Sequence, residues 1–186
     1  MNYKGKLLEV LKELGMVESR LQLQDRRLGE QYFEYIASIT FPNGTQVSAR
    51  GDSARKKEAQ QEACKQVLQK IQCDHPELLV DWTAIMVEAQ VGDALLKLCA
   101  YRSRKLSTAE AGSRWLQRNE TDQNMVRIFE QMRRKGRTDV AMFGSNVGDK
   151  RKASWVEALI ARRFSHLILR DDADRGFDDL MDFMGS

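Results

Sequence analysis

Gln31-Tyr32-Phe33-Glu34-Tyr35-Ile36-Ala37-Ser38-Ile39-Thr40-Phe41, followed by Pro42-Asn43-Gly44, decides how the first part of the chain folds. Phe33, Tyr35, Ala37, Ile39 and Phe41 alternate with Glu34, Ser38 and Thr40, the period-two pattern of a strand with one buried face. Asn43 and Gly44 tolerate positive φ, so the turn they make predicts an antiparallel return over 45–50. Upstream, a short strand is expected over 20–24. Before it, Leu7, Leu8, Leu11 and Leu14 fall at helical spacing in a segment that Gly15 can stop. Downstream, Ser53 can cap a helix over 54–72 whose buried stripe would be Ala59, Ala63, Val67, Leu68 and Ile71. The expected order is therefore α-β-β-β-α.

The pattern breaks at Cys73-Asp74-His75-Pro76, because proline disfavours helix in the residue before it. Beyond Val80 the periodicity is helical throughout, with helices expected over 82–103, 108–118, 121–134 and 153–169, a glycine-bearing loop over 136–150 and a short acidic piece at the end. The expectation is an α+β chain: one domain over 1–73, a linker over 74–79, and an all-α domain with an acidic tail over 80–186.

Among 186 residues, 42% are hydrophobic and 31% charged, which is ordinary for a soluble globular protein. No apolar run approaches the roughly 20 residues needed to cross a bilayer. The expected location is intracellular, in the cytoplasm or an organelle matrix, with no membrane partner. Cys64, Cys73 and Cys99 lack metal-ligand spacing and read as buried or free thiols. A net charge of +3 says little about partners, but its distribution says more. Basic residues bunch at Arg55-Lys56-Lys57, at Arg133-Arg134-Lys135 with Arg137, at Lys150-Arg151-Lys152 and at Arg162-Arg163, while acids gather from Asp171 to Asp182. Each basic run taken alone reads equally as a solvated face. No Ser-His-Asp, Cys-His or phosphate-cradling glycine motif is present, which argues against those hydrolase and nucleotide-triphosphatase chemistries.

The α-β-β-β-α order closing in Ser53-Ala54-Arg55-Lys56-Lys57-Glu58-Ala59, then Glu62-Ala63-Cys64, resembles the double-stranded RNA-binding domain over about residues 3–72. Lysines at a helix N-terminus combine side-chain charge with the positive end of the helix dipole, and both suit phosphates. Small Ala59 and Ala63 allow close packing of helix on sheet. The resemblance implies double-stranded or structured RNA as partner, with Arg55, Lys56 and Lys57 on phosphates and Glu9 reaching ribose 2′-hydroxyls. Two positions depart from the pattern. Gln60 stands where a third basic residue is expected, and the 25–30 loop offers Arg26 and Arg27 in place of Gly-Pro and His. A domain of this fold that serves only for protein interaction remains the alternative.

The helical half resembles the ribonuclease III fold, and particularly the compact Mini-III ribonucleases, over about residues 80–170. The residues that carry this are Ala89-Gln90-Val91-Gly92-Asp93-Ala94-Leu95-Leu96, then Lys135-Gly136-Arg137, then Lys152-Ala153-Ser154-Trp155-Val156-Glu157-Ala158-Leu159-Ile160. It implies Mg²⁺ held by Asp93 and Glu157 as catalytic ligands, with Lys135, Arg137, Lys150, Arg151 and Lys152 on RNA phosphates. It also implies pairing of helical domains as a homodimer or heterodimer. Hydrolysing a phosphodiester needs an activated water and neutralisation of the phosphate, which Mg²⁺ on carboxylates supplies. Ala89 and Ser154 stand where the full motif has acids. Glu88 is a poor substitute because one residue turns it about 100° around a helix. Ala161-Arg162-Arg163 breaks a stretch that is usually small and apolar, and those arginines either disturb a helical dimer seam or face RNA. The expected function is Mg²⁺-dependent endoribonucleolytic processing of double-stranded RNA. The alternative is a catalytically inactive RNA-binding or scaffolding subunit of a ribonucleoprotein.

Overall fold

In a computed structural model of the chain, residues 2–27 and 32–185 are described. They form an α+β protein of helices and one three-stranded antiparallel sheet. The chain divides into two compact units, Met1–Val80 with Thr138–Val147, and Asp81–Arg137 with Gly148–Ser186. Segment 138–147, expected in the helical domain, thus packs with the first unit.

In the first unit α1 (Tyr3–Glu13) precedes β1 (Leu21–Arg27), β2 (Phe33–Thr40), β3 (Gln46–Ser53) and α2 (Lys56–Asp74). β2 is central, pairing Ala37 with Leu23 on one side and with Ala49 on the other. Tyr35, Ala37, Ile39 and Phe41 are buried as alternation requires, and Phe33 at the strand end is half-buried. The turn closes through Asn43, whose side-chain oxygen accepts the Thr45 N–H at 3.0 Å, and through Gly44 at φ +86°. Ala59, Ala63, Val67 and Ile71 of α2 are buried with Cys64, while Leu68, expected in that stripe, is only half-buried. Helix and sheet come so close that a methyl group on Gly51 of β3 would lie 2.2 Å from the Ala63 nitrogen.

The expected cap is displaced. Arg55, not Ser53, is the N-cap of α2 and no side chain caps it. Ser53 instead accepts the Arg55 N–H and donates to Glu58. Segment 138–147 lies along the end of α1: Gly144 N–H donates to Leu14 O at 2.8 Å and Asn146 N–H to Gly15 O at 3.0 Å. Val140, Phe143 and Val147 are buried there. Gly15, at φ +67°, is the αL residue that ends the helix and leaves room for Val147.

The second unit is all helical: α3 (Trp82–Arg102), α4 (Ala109–Asn119), α5 (Asp122–Arg134), α6 (Asp149–His166) and α7 (Ala173–Gly185), with a π-helical turn at Leu167–Asp171. Asp81, Thr108 and Thr121 cap α3, α4 and α5 by accepting first-turn N–H groups. α6 starts at Asp149, one turn before the expected 153, because its first turn is polar and offers no apolar period to read. α3 and α6 form the core pair, burying Ala89, Leu95 and Leu96 against Ala153, Val156 and Ile160. The acidic tail is α7, which buries Phe177, Leu180 and Met184. Its acids meet the end of α3 and the residues after it: Asp178 accepts from Ser103 at 3.1 Å, Asp182 pairs with Lys105 at 2.7 Å, and Asp174 pairs with Arg104. Among the described residues no helix is long and apolar enough to cross a membrane.

Candidate functional site

The acids singled out from the sequence meet where α3 crosses α6. Gly92 makes the crossing close: a methyl group built there would lie 1.9 Å from the Glu157 carbonyl oxygen. Asp93 follows Gly92 on α3, and Glu157 is the residue of α6 at the contact. Glu157 is half-buried, and burial, followed by the charge of Asp93 and then Asp122, pushes its carboxyl up to about 7. At neutral pH the charged form is only partly compensated, by the Lys97 ammonium.

Three residues that the sequence reading passed over complete the cluster. Lys97, one turn beyond Asp93, places its ammonium 2.7 Å from Asp93 Oδ2 and 3.1 Å from Glu120 Oε1. These two carboxylates raise the lysine pKa, Asp93 foremost. Glu120 is the C-cap of α4 and Asp122 the first residue of α5, so the α4–α5 junction brings both to the site. The spacing of Lys97 from Asp93 was visible as an i,i+4 pair. Nothing local points Glu120 or Asp122 toward residues so distant in sequence.

Ala89 and Ser154, the positions where the resemblance would have acids, are closed in by packing. Ala89 is buried, and so is Ser154, whose hydroxyl is 3.4 Å from Met86 Sδ. Glu88 turns away to Arg162, at 2.6 Å, and Arg162 lies 5.3 Å from the centre of the Trp155 ring. Arg163 stacks on Phe164 and Phe183. Both arginines thus have partners inside the helical unit.

Asp93 and Glu157 present hard oxygen donors from facing helices, and a cation there would neutralise the disfavoured Glu157 carboxylate. That donor chemistry fits Mg²⁺, which takes one or two carboxylates and fills its remaining positions with water and substrate phosphate. Among the described residues no group of three or more His, Cys, Asp and Glu is arranged to hold a metal ion.

The basic candidates fall into distinct settings. Lys135 and Lys150 are exposed and Arg137 is half-buried. Lys150 lies seven residues before Glu157, two turns along the same face of α6. Arg151 lies 4.8 Å from the centre of the Trp82 ring. Lys152 corrects the expectation of a solvent-facing phosphate ligand: it is buried, with Glu130 at 3.0 Å and Asp149 at 3.2 Å. An ammonium so paired holds α6 to α5 rather than meeting solvent.

In the first unit Arg55, Lys56 and Lys57 are exposed at the start of α2. Lys56 pairs with Asp25 at 2.7 Å, which holds the Asp25 carboxyl below its usual range, and lies 5.8 Å from the centre of the Tyr35 ring. Arg55 pairs with Glu58 at 3.1 Å. Glu9 is exposed on α1 and lines an open hollow of about 480 Å³ with Gly5, Leu8, Lys12 and Val17. Arg26 is exposed on β1, and the side chain of Arg27 and residues 28–31 lie outside the described residues.

One further exposed surface lies along α3. Val87, Val91, Ala94, Leu98 and Tyr101 are all exposed on α3. Their spacing of four and three is that of a helix seam. Comparison of the chain with protein-family models, with curated proteins and with solved structures finds no match.

Proposed function

We propose that the chain binds double-stranded RNA through its first unit and cleaves structured RNA with Mg²⁺ at Asp93 and Glu157, as an endoribonuclease of ribonuclease III type. The observation that carries the nuclease reading is the Gly92 crossing, which sets Asp93 beside a Glu157 carboxyl held up to about 7. Such a carboxylate is costly unless a cation accompanies it. When bound, Mg²⁺ supplies charge for the phosphate oxygens and lowers the pKa of water. Asp93 and Glu157 would anchor that ion from two helices, and Lys150 on the same face of α6 would draw in the RNA backbone.

Support for binding lies at the start of α2. Lys56 and Lys57 project from a helix end that no side chain caps, on a helix held tightly to the sheet. Replacing both by alanine is expected to weaken duplex affinity about tenfold whatever the sequence, and to lower the slope of log affinity against log salt by about 1–2. Filter binding across a salt series checks this, and an unchanged slope would remove that face from the interface.

Pairing through α3 belongs to the same reading. A contiguous exposed apolar face is a common mark of a protein interface, and a second helical unit laid on Val87, Val91, Leu98 and Tyr101 would cover it. Leu98→Glu is expected to shift the protein to monomer in light scattering, and a wild type that is monomeric at high concentration argues against a homodimer. The second reading is a non-catalytic RNA-binding scaffold. It is favoured by one observation, the Lys97 ammonium already seated on Asp93 and Glu120.

A further inference from the structure

Lys97 has no place in the sequence motifs, yet its ammonium is seated on Asp93. Its Nζ lies 2.7 Å from Asp93 Oδ2 and 3.1 Å from Glu120 Oε1. Lysine carries its charge as a compact point on a flexible four-carbon stem, and this side chain is about half exposed. It can therefore leave one carboxylate for another without disturbing the helix. A divalent ion on Asp93 would face a like charge at contact distance if the ammonium stayed. Glu120, on the α4–α5 junction, offers a second anchor that keeps the released ammonium close.

We propose that Lys97 is a positioning residue: a tethered cation that occupies Asp93 in the metal-free protein and is displaced toward Glu120 when a divalent ion binds. This rests on the reading of Asp93 and Glu157 as a metal site. It makes metal occupancy a competition between a charge belonging to the chain and one from solution, so the free protein takes up metal weakly. The half-buried Glu157 carboxylate is only partly offset by the lysine's charge, and a bound metal would complete that compensation.

The test titrates Mn²⁺ into the full chain, following bound metal by electron paramagnetic resonance and calorimetry, in wild type, Lys97→Met, Lys97→Arg and Asp93→Asn/Lys97→Met. Lys97→Met is expected to bind about tenfold tighter than wild type. Lys97→Arg, which keeps the charge, should stay weak, and the double variant should lose the gain. In parallel, the ammonium signal of Lys97 followed by nuclear magnetic resonance should shift in step with Mg²⁺ binding. Equal Mn²⁺ affinity in wild type and Lys97→Met, or an ammonium signal unmoved by saturating Mg²⁺, overturns the competition and leaves the metal site standing. Absence of Mn²⁺ binding in every variant overturns the metal-site reading, and this inference with it.

Discussion

Gly92→Ala is expected to be among the most damaging single substitutions in the helical unit. In an ordinary exposed helix the same change stabilises by about 0.5–1 kcal/mol, because alanine surrenders less backbone entropy. Here the added methyl would meet the Glu157 carbonyl oxygen at 1.9 Å, a backbone atom that no rotamer change can move. α3 and α6 would have to separate, opening the contact that buries Ala89, Leu95, Leu96, Val156 and Ile160. Overpacking a close contact costs about 1–3 kcal/mol and more where backbone must move. A loss near the top of that range lowers the melting temperature of a unit this size by about 10 °C or more. Thermal denaturation followed by circular dichroism checks this. A variant that melts with wild type would mean that the helices do not cross so closely, and the juxtaposition of Asp93 with Glu157 would go with it.

Glu157→Gln is expected to separate stability from activity. The Glu157 carboxyl is raised in the fold to about 7 from 4.5, first by burial and then by Asp93. Between those values the folded protein keeps a proton that the unfolded chain has released, so stability falls as pH rises through that window. Above about 7 both states are ionised and the penalty is complete. Below about 4.5 both are protonated and it vanishes. Glutamine removes the penalty, so the metal-free variant should be more stable than wild type at pH 8 by about 1–2 kcal/mol, allowing for screening of a side chain only half buried. The advantage should fade toward pH 4.5. Urea denaturation at pH 8, 6 and 4.5 in EDTA measures it, and a variant less stable than wild type at pH 8 would contradict the strain assigned to Glu157. Mg²⁺ should stabilise wild type and not the variant, because the ion binds only the form with the carboxylate.

Much of the first unit was legible because its signals are local. Alternation from Phe33 to Phe41, the Asn43-Gly44 turn and the small Ala59 and Ala63 each act within a few residues of themselves, and β2, its turn and α2 follow them. The misplaced cap at Ser53 had a local cause as well: the strand runs on to Ser53, so the helix starts two residues later. What could not be read was tertiary. Val140 and Phe143 look like stray apolar residues in a loop until the end of α1 accepts the segment's N–H groups. Lys152 sits in a basic run and reads as solvated, yet Glu130, a residue of α5, takes it into the interior.

The same division runs through the candidate site. Asp93 and Glu157 were singled out by the resemblance of the motifs around them, whereas the close approach at Gly92 became visible only in the packing of α3 on α6. Lys97 was within reach as the i,i+4 partner of Asp93. Glu120 and Asp122 flank the Thr121 cap and advertise only a helix boundary; their charges reach Glu157 through the packing of α4 and α5 on the core pair.

The most direct measurement incubates the purified chain with an end-labelled RNA duplex in Mg²⁺ or in EDTA, alongside Glu157→Gln, and follows binding and product length together. Wild type is expected to cut in Mg²⁺ and not in EDTA, with Glu157→Gln bound to the duplex and inactive. Tight binding without cutting in Mg²⁺, or cutting that survives Glu157→Gln, would contradict that expectation.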